Sequence, residues 1–595
     1  MEVKPLYDSK RIAENATMQS FLNCYLRETG NYECTDVFDS FSQHVFISKL
    51  SIQKIDLVLP LEYWSLTDRH LFSFPIYYRV QGEGDLQPLD YVTLVTLIVK
   101  EFLLDQQCKE AEDELIYRVI LSCRSIRNYV EGRLEDGESL SRSDVDFIEA
   151  EQSLLFGHLL HPTPKSKQGL TEEEDRLYSP ERKGEFQLHY FAADEDLVVH
   201  DSSRPETAVS IIINELKDGG VDEEWIDQLV NEKGKVLIPV HPLQTKELLS
   251  RPEVQERIMG GNLEYIGPLG RVYTATSSLR SVYAKQSPYM FKFSVPVKIT
   301  NSLRINQAKE LARGVEVSKL LQTDLGKALK GHFPDFNIIE DPAYINLESS
   351  EDISGFEVVI RDNPFREAAG STSLIAGLCQ DNPYGGKPRI HSIITEIAVR
   401  EGRTVEQVSE DWLSRYLSIS LDPMMWLFSH YGIALEAHQQ NSLVTLKEGY
   451  PHRFHYRDNQ GYYYSRSKAG KLAILHPGIS AISDTTCDDD VAEERFRYYF
   501  FFNHLFGLIN GFGVSGLIEE ENLIRILRTA LKKHEGSMSG GLVESLLYQP
   551  VLPCKANLLT RFYDMDELIG PMESQSVYTM VRNPIAHEVE VRHGV

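Results

Sequence analysis

The stretch from Met290 to Thr300 reads MFKFSVPVKIT, and its apolar and polar residues alternate. A period of two is typical of a β-strand that buries one face. Phe and Val side chains fall on the apolar face, and the other face carries Lys292, Ser294, Lys298 and Thr300. Pro296 indicates a sheet edge or a bulge. We therefore expect a strand with one core face and one face that presents cations.

The patterns on either side of this strand divide the chain into three parts. Up to about residue 155, apolar residues recur at three and four, which predicts mainly helices, with strands near 45–60 and 74–80. Runs such as KVLIPV and FEVVI predict strands in the middle, and after about residue 370 the pattern is helical again except for one hairpin. We expect an α+β fold with a helical unit at 1–150, a sheet-rich unit at 151–370 and a mostly helical unit at 371–595.

The composition excludes several classes of protein. The chain has 595 residues, of which 42% are hydrophobic and 25% charged, and this argues against long disorder and against a multi-span membrane protein. Its 61 Lys and Arg against 88 Asp and Glu give a net charge of −27. Such a balance disfavours nucleic acid or an anionic membrane as partner. A small anionic ligand would need a local cluster of cations.

Two further features predict a cytoplasmic protein that does not cross a membrane. The seven cysteines form no CxxC pair, and the N-terminal residues include no apolar leader. The most apolar run, Tyr498–Ile518, is interrupted by Asn503, His504 and Asn510. Polar groups facing lipid are costly, so we expect this run to be a buried element.

A hairpin near 441–458 is the sharpest local signal. The strand-like runs NSLVTL and RFHYRD flank the turn KEGYPH. A turn centred on Gly449 and Tyr450 would pair Leu443 with Tyr456. The same register would set Asn441 opposite Asp458 at the open end of the ladder.

That open end is a candidate metal site. Glu436 and His438 lie just upstream of Asn441, so two carboxylates, an amide and an imidazole could converge there with Asp458. Oxygen ligands of this kind suit Mg²⁺. The alternative is structural: Asn441 and Asp458 close the hairpin, and His438 is a core histidine.

A basic cluster surrounds the alternating strand. Ser277, Ser278 and Arg280 lie in TSSLR before it, and Arg304 follows in TNSLR. Arginines near hydroxyl-rich turns suit bidentate recognition of phosphate or carboxylate. In a straight strand Lys292 would lie roughly 26 Å from Thr300, so these residues either serve opposite ends of the ligands or the strand bends. The alternative is a solvated strand face with surface ion pairs.

Other loop signals are weaker. HPTPKSK places His161 and Lys165 in a Pro-stiffened turn, and HPLQ follows the KVLIPV strand. Simple turn packing is the alternative for both. GFGVSG at 511–516 fits GxGxxG, but no second strand with an acidic end follows it, and the chain has no GxxxxGK[ST] loop. We therefore expect neither a Rossmann site nor a P-loop.

Together, these motifs resemble one family, the nucleotide-dependent, NRPS-independent siderophore (NIS) synthetases of the IucA/IucC type. The stretches that carry the resemblance, from residue 151 to 513, are EQSLLFGHLLHPTPKS, LIPVHPLQ, ATSSLRSVY, PVKITNSLRIN, ALEAHQQN, FHYRDNQG and FFNHLFGLINGFG. The N-terminal helices and CKANLLTRF extend it over nearly the whole chain. Within the family, QSFLNCYLRETG and GFEVVIRDNPF are most similar to the petrobactin-type members, which join citrate to spermidine.

The resemblance implies an activity and a set of partners. It implies a cupped-hand fold of thumb, fingers and palm, usually dimeric, that takes Mg²⁺ and ATP. A citrate carboxylate would attack the α-phosphorus of ATP, and a polyamine, with spermidine as first candidate, would then displace AMP to form an amide. The partners are therefore citrate, a polyamine and a second copy of the chain.

The resemblance also assigns roles to residues. The ATP-binding set is His161, Ser278, Lys292, Arg304 and Gln440. The metal-facing set is Glu436, Asn441 and Asp458. The citrate contacts are Arg280, Thr300, Arg304 and His438, with Lys555 a candidate for either substrate. The catalytic residues would be Lys292, Arg304 and His438. Ser281 departs from the family, which more often has Thr there, but the hydroxyl is kept.

Three alternatives remain open on sequence alone. The same ligase chemistry could use another amine or a citrate-derived acid. A phosphotransferase could use Asn441 and Asp458 to hold its metal, and it would release ADP. A noncatalytic protein could bind citrate or a ferric chelate, and it would consume no ATP.

Overall fold

A computed structural model gives the three-dimensional structure of the chain. It describes residues 7–35, 41, 44–82, 84–106, 112–300, 302–350, 353–366, 371–536, 541–563, 565 and 576–586. Cys108 lies outside them.

The N-terminal part combines four helices with a six-stranded sheet. The helices are α1 (Ser9–Thr29), α2 (Tyr91–Gln106), α3 (Glu112–Gly132) and α4 (Phe147–Glu151). The strands are β1 (Glu33–Thr35), β2 (Val45–Leu50), β3 (Ile55–Tyr63), β4 (Leu71–Phe72), β5 (Tyr77–Val80) and β6 (Gln87–Pro88). The predicted helices and both predicted strand regions are confirmed. The sheet is nevertheless larger than the sequence indicated, because three strands have three residues or fewer and show no period.

Among the described residues, the middle part contains more strands than either of the other two parts. They are β7 (Lys167–Gln168), β8 (Glu185–Asp194), β9 (Val198–Ser202), β10 (Lys235–Val240), β11 (Leu263–Ala275), β12 (Ser281–Tyr283), β13 (Tyr289–Phe293), β14 (Lys298–Ile299), β15 (Ser302–Leu303), β16 (Phe336–Ile338), β17 (Ala343–Leu347) and β18 (Val358–Asp362). Its helices are α5 (Glu172–Tyr178), α6 (Ala208–Asp218), α7 (Glu223–Asp227), α8 (Pro242–Ser250), α9 (Pro252–Met259), α10 (Ala308–Leu321) and α11 (Asp324–His332).

The C-terminal part is mostly helical. Its helices are α12 (Ile375–Cys379), α13 (Arg389–Glu401), α14 (Val405–Tyr431), α15 (Ala469–Leu475), α16 (Asp489–Phe496), α17 (Phe506–Val514), α18 (Glu520–Lys532), α19 (Leu542–Tyr548) and α20 (Asn557–Phe562), and a π-helical stretch, Arg497–Leu505, joins α16 to α17. Its strands are β19 (Thr372–Leu374), β20 (Ile433–Leu435), β21 (Ser442–Lys447), β22 (Tyr450–Tyr456), β23 (Tyr462–Ser465), β24 (Thr486–Cys487), β25 (Val551–Lys555) and β26 (Tyr578–Arg582).

Two sheets position the residues of interest. The eight-stranded sheet has the order β10-β8-β11-β12-β13-β18-β17-β9, and it sets Ser281 of β12 and Val359 of β18 on either side of Lys292. The second sheet has the order β16-β22-β21-β19. Its parallel pair β16 and β22 attaches the C-terminal hairpin to the segment that leads into β17. The end of the hairpin is thereby held near the middle of the large sheet.

The predicted strand from Met290 to Thr300 is interrupted. β13 ends at Phe293, and the chain returns to a strand only at Lys298. Across Pro296, the backbone N–H of Val297 donates to the carbonyl of Val295 at 2.8 Å, which is a three-residue turn. Of the two alternatives left open for this strand, the structure shows the bend, so the straight-strand separation of Lys292 and Thr300 does not apply.

The hairpin exists, but the predicted register is wrong by one residue. Leu443 lies opposite His455 rather than Tyr456, and the backbone N–H of Arg457 donates to the carbonyl of Asn441 at 3.0 Å. Asn441 therefore does not lie opposite Asp458. The turn consists of Glu448 and Gly449, both with positive φ. The strand pairing shifts by one residue between Thr445 and Leu446, which is a bulge. A two-residue turn of this kind fixes the register differently from the turn we assumed.

Buried apolar side chains form three large clusters. One fills the helical layer over the eight-stranded sheet, and a second packs the C-terminal helices against the hairpin sheet. The third joins α1, α2 and α3 to the N-terminal sheet and includes Leu558 and Phe562 of α20. The last part of the chain thus packs into the N-terminal core. The predicted unit boundaries stay a prediction.

The apolar run Tyr498–Ile518 is a buried helical segment, as expected. Phe500, Phe501 and Asn510 are fully buried within the protein. No helix in the described ranges has the length and apolarity needed to cross a bilayer. Gly511 and Gly513 of GFGVSG lie inside α17, so this motif is no phosphate-binding turn.

Candidate active site

Lys292 of β13 and Asp458, which follows β22, form the centre of the candidate site. Lys292 Nζ donates to Asp458 Oδ1 at 2.7 Å and also contacts Gln460 Oε1. Lys292 is only 2% exposed, so its strand face is not solvated, and the surface alternative is wrong. A buried pair from two distant segments shows that the large sheet and the hairpin meet here.

Two arginines lie near Lys292, and one of them is close to Asp458. Arg361 of β18 is held by both oxygens of Asp341, at 2.6 and 2.9 Å, and its Nη2 lies 3.6 Å from Asp458 Oδ1. Arg280 donates to neutral acceptors: the carbonyl of Ile305, Asn306 Oδ1 and Gln460 Oε1. Arg280 is only 8% exposed, yet within the described residues it forms no ion pair. A buried guanidinium without a carboxylate in contact is suited to an anionic ligand.

The pKa values reflect this crowding of cations. Burial lowers the pKa of Lys292 to about 8; Asp458 opposes that shift, and Arg280 and Arg361 add to it. Burial alone would raise the pKa of Asp458, but Lys292 and Arg361 hold it well below its usual range. Asp458 is therefore ionised at neutral pH.

The turn that carries Ser278 faces the loop that carries Gln440. Leu279 has a φ of 68° and folds the turn tightly, so that Ser278 Oγ accepts the backbone N–H of Ser281 at 3.2 Å. Gln440 Nε2 donates to Ser277 Oγ at 3.1 Å. Two members of the predicted ATP-binding set, Ser278 and Gln440, are thus brought to neighbouring loops.

His438 is a neutral ring that accepts hydrogen bonds at Nδ1 and can donate one from Nε2. Its Nδ1 accepts the backbone N–H groups of Gln440 and Asn441, at 3.2 and 3.3 Å. A nitrogen that accepts carries no proton, so the neutral ring has its proton on Nε2. Burial lowers the pKa of His438 to about 3, with Asp458 opposing and Arg457 adding to the shift. This ring can present an N–H to an anion but carries no charge at neutral pH.

The three predicted metal-facing residues surround one turn, 458–461. Asn441 Nδ2 donates to the carbonyl of Glu436 at 3.3 Å, and the backbone N–H of Glu436 donates to the carbonyl of Gly461 at 2.9 Å. A Cβ on Gly461 would lie 2.8 Å from Glu436 Oε2, so this glycine makes room for the carboxylate. Among the described residues, no three His, Cys, Asp or Glu side chains form a metal cluster. The metal assignment stays a prediction.

Thr300 and Arg304 lie together at the end of the bent strand. Thr300 has a φ of 53°, which is unusual for a β-branched residue. Its hydroxyl accepts Arg304 Nη2 at 2.9 Å, and its carbonyl accepts Arg118 Nη1 at 2.6 Å. Arg118 of α3 thereby ties the N-terminal part to this corner.

The remaining predicted residues, Lys555 and His161, both lie near His158. His158, Lys555 and Asn503 line a small cavity, and Lys555 Nζ lies 5.8 Å from the centre of the Tyr498 ring. Burial lowers the pKa of His158 to about 3, and His438 and Lys555 add to that shift. The ring of His161 lies 6.1 Å from that of His158. Lys165, also noted in the sequence, is buried in an ion pair with Glu181.

Four residues of the site were missed in the sequence: Arg361, Gln460, Glu151 and Arg457. Gln460 contacts both Lys292 and Arg280, and Arg457 pairs with Glu151. A signal existed for two of them. Arg361 ends the apolar run FEVVI, and Arg457 directly precedes Asp458 in FHYRD. A charged residue next to a buried strand needs a partner, so the position of Arg361 and Arg457 beside such strands could have identified them as site residues.

Two family models match the chain. The first is the IucA / IucC family, over residues 146–380. The second is described as "Ferric iron reductase FhuF-like transporter" and covers residues 410–570. The first match contains the TSSLR turn and Lys292, and the second contains Gln440 and Asp458.

Curated proteins are similar to the chain over nearly their full length. A spermidine-citrate ligase of Bacillus anthracis is 47% identical, over 98% of this chain and 99% of the relative. The rhizobactin siderophore biosynthesis protein RhbC of Rhizobium meliloti (strain 1021) is 33% identical, over 96% and 97%.

Solved structures share the fold. ATP-bound aerobactin synthetase IucA from a hypervirulent pathotype of Klebsiella pneumoniae superimposes with a TM-score of 0.87 at 27% identity, over 96% of this chain and 99% of that one. The petrobactin biosynthesis protein AsbB from Bacillus anthracis gives 0.76 at 17% identity, over 97% and 96%, and shows the fold alone. The expected α+β fold is confirmed.

The neutral state of His438 predicts a dependence of stability on pH. The ring has a pKa of about 3 in the folded protein and about 6.5 when unfolded, so only the unfolded state takes up a proton between these values. Stability from this group is present above about pH 6.5 and is lost as the pH falls. We expect His438→Gln to show a smaller drop in Tm between pH 7 and pH 5 than the unchanged protein. His200→Gln, at an exposed position, is the control. Equal drops for His438→Gln and the unchanged protein would mean that the native ring takes up its proton over the same pH range as the unfolded one.

Proposed function

Because the chain belongs to the IucA/IucC family, we propose that it is an ATP-dependent ligase of siderophore biosynthesis that joins a carboxylate of citrate to a polyamine. Spermidine is the first candidate for the amine, since the spermidine-citrate ligase is 47% identical over almost the entire chain. The ATP-bound state of the aerobactin synthetase supports ATP as the other substrate.

The observation that carries the proposal is the cation cluster at Asp458. Lys292, Arg280 and Arg361 are all at least nine-tenths buried, and they come from three neighbouring segments of one sheet. In a protein with a net charge of −27, such a cluster is a local exception. ATP and citrate are both polyanions, and fixed cations in a buried site stabilise them strongly.

We assign each substrate to a set of residues around this cluster, and Arg304 belongs to both sets. Ser278, Gln440, Lys292, Arg304 and His161 would hold the nucleotide. Citrate would contact Arg280, Thr300, Arg304, His438 and Lys555. His438 suits this role because its Nε2–H can donate to a carboxylate without adding a charge. Lys555, near His438 and His158, would supply a further cation to the citrate.

Glu436, Asn441 and Asp458 fit Mg²⁺ as a donor set. They offer carboxylate and amide oxygens around a single turn, and Mg²⁺ prefers oxygen ligands. When bound, the ion would neutralise charge on the phosphates of ATP. In this structure Asp458 pairs with Lys292. With Mg²⁺ bound, the same carboxylate would contact the ion.

The reaction that we propose has two steps. An oxygen of the citrate carboxylate bonds to the α-phosphorus of ATP while the bond from that phosphorus to the β-phosphate oxygen breaks, and pyrophosphate leaves. The amine nitrogen then bonds to the acyl carbon, AMP leaves with the electron pair of the broken C–O bond, and the nitrogen loses a proton. Lys292 and Arg304 stabilise charge at phosphorus, and His438 orients the carboxylate.

The proposal extends to the setting of the enzyme. We propose that it acts in the cytoplasm, where ATP and citrate are available, and that it forms a homodimer as its family resemblance implies. Neither nucleic acid nor membrane is a partner in this account, since the acidic surface disfavours both.

Neighbouring residues on β13 separate the role of charge from that of packing. At a temperature where the variant is folded, Lys292→Ala should lower the rate by about 10²–10³-fold, because it removes an oriented donor to an anion. It should also lower Tm, because Asp458 loses its partner. Phe293, 2% exposed and packed in the sheet core, is the matched control. Phe293→Ala should cost about 3–5 kcal/mol of stability. Steady-state rates and thermal melts of both variants test this. A fall in rate no larger than that of Phe293→Ala, measured where both variants are folded, would assign Lys292 a structural role.

The products identify the reaction class. With Mg²⁺, ATP, citrate and spermidine, we expect AMP, pyrophosphate and a citryl amide of spermidine in equal amounts, resolved by chromatography and mass spectrometry. Release of ADP alone would favour a phosphotransferase, and no consumption of ATP would favour a binding protein. If another amine is used instead of spermidine, only the choice of amine is wrong.

A further inference from the structure

A second buried ion pair lies beside the site and takes no part in the chemistry above. Glu151 is the last residue of α4, and Arg457 follows β22. Glu151 Oε1 lies 2.8 Å from Arg457 Nη1, and Glu151 Oε2 accepts Arg457 Nη2 at 3.1 Å. The two side chains are 0% and 6% exposed. The Nη2 contact is a charge-assisted hydrogen bond, and the Nη1 contact is a close ion pair without hydrogen-bond alignment.

The pair also holds the two loops that carry Ser278 and Gln440. Glu151 Oε2 accepts the backbone N–H of Ser277 at 2.9 Å. Arg457 Nη2 donates to the carbonyl of Gln440 at 2.7 Å and to Ser277 Oγ at 3.2 Å. The hydrogen bond from Gln440 Nε2 to Ser277 Oγ also links the two loops directly.

Burial gives this network a consequence for function. Glu151 is 1% exposed as a residue, so it does not reach a ligand itself and must act through its neighbours. Its partners belong to segments 126 and 306 positions away in the chain. Ser277 and Arg457 are 180 positions apart in the chain, so long-range contacts must hold them together. Through this pair, α4 contacts the Ser277 turn and, by way of Arg457, the carbonyl of Gln440.

We propose that Glu151 and Arg457 are positioning residues that hold the Ser277–Ser278 turn and Gln440 in the arrangement that receives ATP. This inference rests on the proposed function, because ATP is its ligand. It adds a specific claim: loss of the pair should weaken the use of ATP more than the use of citrate.

The first test is Glu151→Gln, which keeps the shape of the side chain and removes its charge. The readout is exchange of labelled pyrophosphate into ATP, with citrate and Mg²⁺ present and no amine. We expect the KM for ATP to rise by about 10- to 100-fold, as for loss of charged hydrogen bonds, and the KM for citrate to stay within about threefold. A uniform fall in kcat with both KM values unchanged would overturn the inference.

A double variant separates positioning from stability. Leaving one buried charge unpaired is destabilising by itself, so Glu151→Gln also lowers Tm. Glu151→Gln combined with Arg457→Met removes both charges and should recover much of the Tm, while the KM for ATP stays raised. A double variant with the original KM for ATP would show that the pair acts on stability alone.

The matched control is a carboxylate–arginine pair in the N-terminal sheet. Asp56 is 6% exposed and lies 3.2 Å from Arg79. Asp56→Asn should lower Tm without changing the KM for ATP, and an equal rise in KM would overturn the inference. If Glu151→Gln does not fold, Ser277→Ala carries the test, because it removes the hydroxyl that Arg457 and Gln440 share. An unchanged KM for ATP in that variant would then contradict the proposal.

The two proposals can fail separately. An unchanged protein without citrate-dependent exchange would refute the proposed function. Normal exchange in that protein, with unaltered KM values in the variants, would refute only the positioning role.

Discussion

The ion pair between Lys292 and Asp458 is the contact on which the site depends. Lys292 comes from the middle of the eight-stranded sheet, and Asp458 comes from the end of a hairpin in another sheet. Neither charge would be stable in this environment alone, since burial is costly for an isolated ion. The eight-stranded sheet and the hairpin must therefore pack so that Lys292 and Asp458 lie within hydrogen-bond distance. Arg280, Arg361 and Gln460 are assembled around the same contact.

Neutral histidines complement this charged centre. His438, His161 and His158 each accept a backbone N–H at Nδ1 from the residue two positions on. At His438 this geometry leaves the proton on Nε2 of a neutral ring. The site thus combines fixed cations, which attract polyanions, with an uncharged donor at His438 that can orient a carboxylate. This division of roles follows from the short turns in which the histidines lie.

The sequence predicted the parts of this site better than their assembly. Alternation in MFKFSVPVKIT identified both the core face and Lys292, because period and burial are local properties. The register of the hairpin was wrong, because it depends on a two-residue turn at Glu448 and a bulge that the sequence did not mark. The pairing of Glu151 with Arg457 spans 306 positions, and no local pattern reports such a contact. The roles assigned to single residues came from the family resemblance, not from spacing.

The most direct measurement of the central claim follows one oxygen atom. Citrate labelled with oxygen-18 in its carboxylates would be converted with ATP, Mg²⁺ and spermidine, and the products examined by mass spectrometry. If a citrate oxygen bonds to the α-phosphorus, one labelled oxygen must appear in AMP for each amide formed. Label in inorganic phosphate, or in neither product, would contradict the account.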